Sequence, residues 1–451
     1  MTTARVAVIG GGLAGCEAAW QVTRLADEQA LVDLYEMRPD AKTPAHSTDM
    51  LAELVCSNSL KSESEESPTG RLKQDMAEAG SLILAVAHAT RLPAGKALAV
   101  DRDKFAKAVT EKIESHPHIN VIRRGLDTIP DGYDHVIVAT GPLTSPAMEK
   151  TINRLVGGEN LYFYDAIAPI VEADSIDMSV AFFQDRYGPG GQGDYLNLPM
   201  SDLEYEKLVD ELLSAEKGAF RDFEKEYYFE GCMPVEEIAS RGRQTLAFGP
   251  LKPVGLTNPA TGDRPFAVIQ LRKEDEQGYA YNMVGFQTKL KIAEQERVFR
   301  MIPGLGQARF LRHGSLHRNT YVNSPKALDA RLRLTGAPNV RLAGQITGVE
   351  GYVESAACGF MVGVFTAWDI LGMAHDPPGP ETAMGALLAH LGASNEGVRF
   401  QPSNINFALF PPLGPGKVKK KERRRLITLR AREEMRKWLI RHGLFSGQIV
   451  P

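Results

Sequence analysis

The sequence predicts an α/β protein in which a parallel layer is interrupted by an inserted α+β segment. Three observations predict it. An apolar, β-branched run at residues 5–9 turns through Gly10, Gly11, Gly12, Leu13, Ala14 and Gly15, a G-x-G-x-x-G, into small residues suited to a helix. A second apolar run at 31–35 ends at the acid Glu36, about twenty residues beyond the turn. From about Asp165 the periodicity changes to that of antiparallel strands, and the first pattern returns at 339–343.

Each element follows from local chemistry. Gly10 permits the tight turn, Gly12 lets backbone approach a pyrophosphate, and Gly15 lets helix and strand pack closely; the helix N-terminus adds free N–H donors. Glu36 is placed to accept from ribose hydroxyls, which fits an adenosine without a 2′-phosphate. Residues 101–115 read as a helix, with Asp101 and Asp103 at its start and Phe105, Ala108, Val109 and Ile113 on one face. Residues 119–122 form a short strand, and 133–142 form another that breaks at Thr140-Gly141-Pro142. Residues 266–271 and 281–286 alternate as antiparallel strands, with helical patches such as 203–213 between elements. The glycine-rich stretch 188–193 has no buried strand before it and no apolar helix after it, so it reads as a turn.

After the strand at 339–343 comes a glycine-rich loop containing Gly344, Gln345, Ile346, Gly348 and Gly351. It opens at Tyr352 into a helix of small residues, whose N-terminus is suited to a cofactor's pyrimidine or phosphates. The expected domains are therefore 1–165 and 308–451 for the dinucleotide, the latter with a basic helical end, and 166–307 for the insertion. Residues 376–380 make a Pro-rich linker.

With 451 residues, 43% hydrophobic and 24% charged, the composition is that of a soluble globular chain. No run of about 18 apolar residues stands out, so no membrane span is expected. The N-terminus enters a strand directly, which argues against a secretory signal and for the cytoplasm. The four cysteines, Cys16, Cys56, Cys232 and Cys358, lack C-x-x-C spacing, so neither a metal site nor a redox pair is indicated. Residues 417–437 hold eleven basic and three acidic residues, +8 against −12 for the rest of a chain of net charge −4. Such a block, with Lys419, Lys420, Arg423 and Arg424 in its dense part, suggests a polyanion partner.

Several motifs sharpen this reading: Val55-Cys56-Ser57-Asn58-Ser59, the stretch 248–256 (Phe-Gly-Pro-Leu-Lys-Pro-Val-Gly-Leu), residues 343–352 and Asn404-Ile405-Asn406-Phe407. With them the chain resembles, nearly end to end, the bacterial folate- and FAD-dependent tRNA (uracil-5-)-methyltransferases, flavoproteins with a Rossmann-like two-dinucleotide-binding domain. The resemblance implies FAD as reductant and one-carbon carrier, methylenetetrahydrofolate as carbon donor and NADH or NADPH as electron source. It implies tRNA as substrate, methylated at uracil carbon 5 in the T-loop, with Cys56 and Cys232 as the chemical thiols; a monomer is expected.

Thr140 and Gly141 join the cofactor-binding set. Arg241, Arg243 and Lys252 become candidates for folate glutamate or RNA phosphate, and His46 for the border of the folate or flavin. Cys16 and Cys358 read as packing residues. Two other readings stay open: a wobble-uridine-modifying flavoprotein of the carboxymethylaminomethyl class, and a flavin-bearing RNA-binding protein with inert thiols.

Overall fold

The computed structural model describes residues 3–43, 45–157, 161–186, 193–218, 233–392, 400–414 and 418–445, with the backbone alone for 161–166 and 317–318. Its central sheet runs, edge to edge, Arg333–Leu334, Ala337–Leu342, His135–Val138, Ala4–Ile9, Ala30–Glu36 and Ile119–Arg123. The five longer strands are parallel, with Val6 opposite Val32 and His135, and only the Arg333–Leu334 edge is antiparallel. Strands covered on both faces need apolar side chains throughout. Val6, Ala7, Val8, Val136, Ile137 and Val138 are accordingly buried.

The helix Leu13–Ala26 follows the glycine turn and packs on the sheet beneath a second, distant helix, Tyr352–Ile370. Their contact is backbone against backbone. A Cβ at Gly359 would lie 2.2 Å from the carbonyl oxygen of Ala14, and one at Gly363 2.6 Å from that of Ala18. The small residues of the first helix are thus matched by glycines of the second. Tyr352–Ile370 is also long and apolar enough to span a bilayer, contrary to the expectation that no such segment exists; 89% of its apolar window is buried, so it is the core helix of this domain. Its apolarity arises because protein surrounds it on all sides.

The expected helix at 101–115 spans Arg102–Glu114, and the Asp101 side chain caps it by accepting from the Lys104 N–H. A second sheet holds Phe182–Phe183, Leu196–Met200, Ala267–Lys273, Ala280–Met283, Ile170–Glu172 and Phe310–Arg312, all antiparallel. The helix Asp202–Ser214 packs there, its start closed by the Ser201–Glu204 capping box. This sheet has its own hydrophobic core, separate from that of the parallel sheet. A ribbon pairing Leu161–Ile167 with Ser315–Tyr321 carries the chain out to it and back.

Not anticipated from periodicity were the small sheet of Ser59–Ser62, Ala97–Val100 and Arg91–Leu92, and the helices Pro68–Glu78 and Leu82–Ala89. The C-terminal helix Lys420–Arg441 buries Ile427, Ala431, Met435, Trp438 and Leu439. It is pinned by Arg436, whose Nε and Nη2 each donate to Glu78 at 2.9 Å.

Candidate functional site

The carboxyl ends of the parallel strands open into a cleft of about 1310 Å³, its mouth included. This is where ligands of open α/β sheets bind. Gly10, Gly11, Gly12, Leu13 and Ala14 form one wall. Gly10 adopts φ +110°, and its N–H donates to the Tyr35 carbonyl at 2.8 Å, tying the turn to the neighbouring strand. Gly12 precedes the helix without a side-chain cap, so the first helical N–H groups are offered to the cleft. A Cβ on Gly12 would meet no protein atom within 4 Å, whereas one on Gly15 would lie 1.9 Å from the Gly10 carbonyl oxygen. The two glycines therefore do different work: Gly12 leaves room for a ligand, and Gly15 lets the helix close on the turn.

Glu36 ends its strand inside the cleft. Its Oε2 accepts the Gly11 N–H at 2.9 Å, and its Oε1 accepts the Arg38 N–H and Nε at 3.1 and 2.8 Å. Burial alone pushes the carboxyl up, but the hydrogen bonds and charge of Arg38 outweigh it and hold Glu36 below the usual carboxylate range. Oε2 keeps a lone pair for a ribose hydroxyl. Arg38, itself buried, is shared with Glu53 at 3.0 Å. No sequence signal marked that buried pair.

Thr140 and Gly141 line the opposite wall, and Gly344, Gln345 and Tyr352 line the floor. The structure does not bring the whole candidate set to the surface of the cleft. Ile346 is buried in the core, Gly348 packs against the Phe400 ring, and Gly351 sits against Lys61 and Glu354. These residues shape the loop that carries Gln345 and Tyr352. His46 also borders the cleft, with Nδ1 2.6 Å from the Thr43 hydroxyl.

Cys56 stands one residue beyond Val55, which lines the cleft, and is half-buried. Its N–H donates to the Tyr352 phenol oxygen at 2.7 Å, the Ser57 N–H does so at 3.4 Å, and Cys56 Sγ lies 2.9 Å from the same oxygen. Tyr352 thus joins the thiol loop to the floor. Three arginines hold the loop from outside. Arg102 donates to the Leu54 carbonyl at 2.5 Å and pairs with Glu274. Arg272 donates to Asn58 and Ser57, both at 2.8 Å, and Arg312 donates to the Val55 carbonyl at 2.9 Å. Arg272 and Arg312 belong to the second sheet, so the thiol loop lies between the two cores. Sequence reasoning missed these arginines; a cation at a strand end carries no local mark of its partner.

Cys232, the other expected thiol, lies outside the described residues, as does most of the 188–193 turn; Pro234, two residues on, is the N-cap of the helix Val235–Ser240. Cys16 and Cys358 are fully buried, and burial pushes both thiols up, that of Cys358 to about 11. Arg243, half exposed, pairs with Glu206 and Asp210. Arg241 and Lys252 are not among the residues lining the cleft. Lys419, Lys420 and Arg423 stand exposed at the start of the C-terminal helix, and the Arg424 guanidinium lies 5.2 Å from the Phe407 ring centroid.

A parallel sheet, a glycine turn opening a helix, an acid on the next strand and a thiol at the rim of the cleft define a dinucleotide-dependent enzyme of the flavoprotein type. Residues 5–374 match the family described as Glucose inhibited division protein A. The chain is 56% identical over 448 residues to the Methylenetetrahydrofolate--tRNA-(uracil-5-)-methyltransferase TrmFO of Nitratidesulfovibrio vulgaris (strain DP4), covering 98% of this chain and 92% of that one. It is 55% identical over 438 residues to the TrmFO of Geobacter sulfurreducens, covering 97% and 99%. A solved structure of Aquifex aeolicus GidA shares the fold at a TM-score of 0.67, with 16% identity, covering 98% of this chain and 74% of that one. The chain belongs to the GidA family, among the members named TrmFO.

Proposed function

We propose that this chain methylates carbon 5 of a T-loop uridine in tRNA to give 5-methyluridine, as a folate- and FAD-dependent methyltransferase. The observation that carries this reading is the bond network joining Cys56 to Tyr352 at the dinucleotide cleft, in a chain 56% identical to a TrmFO along nearly its whole length. The wobble-uridine alternative is not favoured, because the relatives of high identity are named for uracil-5 methylation.

The residues present fit FAD: the space over Gly12 admits a pyrophosphate, the helix start offers N–H groups, and Glu36 retains an acceptor for ribose. FAD, recharged by NADH or NADPH, supplies the two electrons that take the carbon of methylenetetrahydrofolate from the formaldehyde to the methyl level. Carbon 5 of uracil is a weak nucleophile, so a thiolate adds to carbon 6 and makes carbon 5 enolate-like, able to bond to the one-carbon unit; a second group then removes the carbon 5 proton as the thiolate leaves carbon 6 and the 5,6 double bond is restored. Cys56 and Cys232 are assigned to these two tasks. Gly10, Gly11, Gly12, Thr140, Gly141, Gly344, Gln345 and Tyr352 form the cofactor's bed.

Lys419, Lys420, Arg423 and Arg424 are assigned to tRNA phosphates. Cations in the first turn of a helix oppose its dipole, so helix stability does not explain them. Among the described residues Lys419, Lys420 and Arg423 have no ion-pair partner. Residues 1–165 with 308–451 are read as the FAD-binding domain and 166–307 as the substrate domain; two separate cores support such a split, with Ala308 and the strand Phe310–Arg312 falling on the substrate-domain side of it. We place the enzyme in the cytoplasm, as a monomer. The deciding experiment incubates the protein with unmodified tRNA, labelled methylenetetrahydrofolate and reduced nicotinamide, then maps nucleosides. Labelled 5-methyluridine in the T-loop is expected; label in the anticodon, or none, overturns the reading.

A further inference from the structure

The motif Cys56-Ser57-Asn58-Ser59 contains one fully buried polar side chain, Asn58, to which the proposed chemistry gives no task. Its amide is bonded to both halves of the molecule. Nδ2 donates at 3.1 Å to the carbonyl of Val100, which belongs to the core of the parallel sheet. It donates again at 2.8 Å to the carbonyl of Lys273, at the end of the strand Ala267–Lys273 of the second sheet. Oδ1 accepts from Arg272 Nε at 2.8 Å, and the Asn58 backbone carbonyl accepts the Val100 N–H at 3.0 Å.

Arg272 supplies the other half of the joint. Ala267, Ile269 and Leu271 enter the second core, so strand alternation sets Arg272 on the opposite face, against the Cys56 loop. It is buried there, and its Nε and Nη2 donate as a fork to Asn58 Oδ1 and Ser57 Oγ. Only an asparagine meets these demands. Its two amide hydrogens answer two carbonyls while its oxygen answers a guanidinium. Aspartate would turn lone pairs toward both carbonyls, and alanine would leave them and Arg272 Nε without partners in a buried place. The loop needs such a hold. Ala52 and Lys61, on either side of it, have φ +51° and +63°, a conformation that non-glycine residues keep only where their surroundings impose it.

We propose that Asn58 is a positioning residue for Cys56. With Arg272 it ties the thiol loop to both cores at once, so that Cys56 stands at the rim of the cleft only while the second sheet is seated against the dinucleotide-binding part. The anchoring of the loop is independent of the reaction; its effect on methyl transfer rests on the proposed function.

The test compares wild-type enzyme, FAD-loaded, with Asn58→Asp, which keeps the size and the acceptor for Arg272, and with Asn58→Ala. One readout is kcat per bound flavin and KM for methyl transfer to unmodified tRNA. The other is the rate of Cys56 alkylation by iodoacetamide, followed by peptide mass spectrometry at about pH 9.5, where an ordinary thiol is ionised and the rate reports access. In both variants kcat per bound flavin is expected to fall about a hundredfold, the cost of a small misplacement, with KM for tRNA unchanged. Cys56 should be alkylated about tenfold faster once the loop opens locally, while flavin reduction by NADPH proceeds at the wild-type rate. A merely structural role would lower flavin content and leave kcat per bound flavin as it was. Flavin-loaded variants that keep kcat, or that lose it while Cys56 reacts at the wild-type rate, overturn the proposal. So does failure of both variants to hold FAD, which would make Asn58 a determinant of the fold instead. Should wild-type enzyme form no 5-methyluridine while the variants expose Cys56, the anchoring stands and the proposed function falls.

Discussion

Gly12→Val separates ligand space from fold space. Gly12 has φ −78°, which any residue adopts, and a Cβ there meets no protein atom within 4 Å. The change in stability of the cofactor-free chain should therefore stay within about 0.5 kcal/mol, as for a surface substitution. The same space lies over the turn, so the isopropyl group occupies the position of the pyrophosphate. Overpacking of this kind costs about 1–3 kcal/mol, which is roughly a fivefold to 150-fold loss of FAD affinity. Gly15→Ala provides the contrast: its Cβ would stand 1.9 Å from the Gly10 carbonyl oxygen, so the helix must shift and the cofactor-free protein itself should lose stability. The assay is flavin-fluorescence titration of the stripped proteins, paired with thermal unfolding in the absence of FAD. If Gly12→Val binds FAD as tightly as the parent, or unfolds well below it, the assignment of that wall to the pyrophosphate is refuted.

Cys56→Ala and Cys232→Ala should each abolish most methyl transfer to tRNA while retaining flavin, whereas Cys16→Ala, at a fully buried site away from the chemistry, should turn over normally; an essential Cys16 in a folded, flavin-loaded protein would redirect the choice of thiols. Because Glu36 titrates below its ordinary value of 4.5 in the folded chain, its contribution to stability is complete above that value and is lost as pH falls through the folded one. The stability gap between the parent and Glu36→Gln, followed by denaturant unfolding, should accordingly close on acidification below about pH 4; a gap that widens there contradicts the ion pair with Arg38. Reversal of Lys419, Lys420, Arg423 and Arg424 to Glu should weaken tRNA binding and flatten the plot of log affinity against log salt, each lost phosphate contact removing about 0.9 from the slope on duplex-like RNA or about 0.7 on single strands. Flavin content should not change. An unaltered slope would make this turn only a solvated face.

What the sequence determined by itself is what short-range chemistry writes into it. The glycine turn, the strands before and after it, and Glu36 at the end of the second strand are legible because apolar period and turn residues act over a few positions. The helix Arg102–Glu114 is legible in the same way, from Asp101 and one apolar face. Periodicity also marks the Ala267–Lys273 and Ala280–Met283 pair as antiparallel strands.

Tertiary structure alone decided which distant segments meet. Cys56 and Tyr352 are 296 positions apart, and nothing in either neighbourhood records that the phenol accepts the loop's N–H groups. The glycines at 359 and 363 are explained only by the backbone of Ala14 and Ala18 against them. Tyr352–Ile370 is a core helix rather than a membrane span only because protein covers it. Arg243 pairs with Glu206 and Asp210, a pairing that linear spacing does not reveal. The physical reason is common to all four. A residue pattern states which face is to be buried and how the chain turns, while the identity of what covers that face follows from packing and charge compensation between segments hundreds of residues apart.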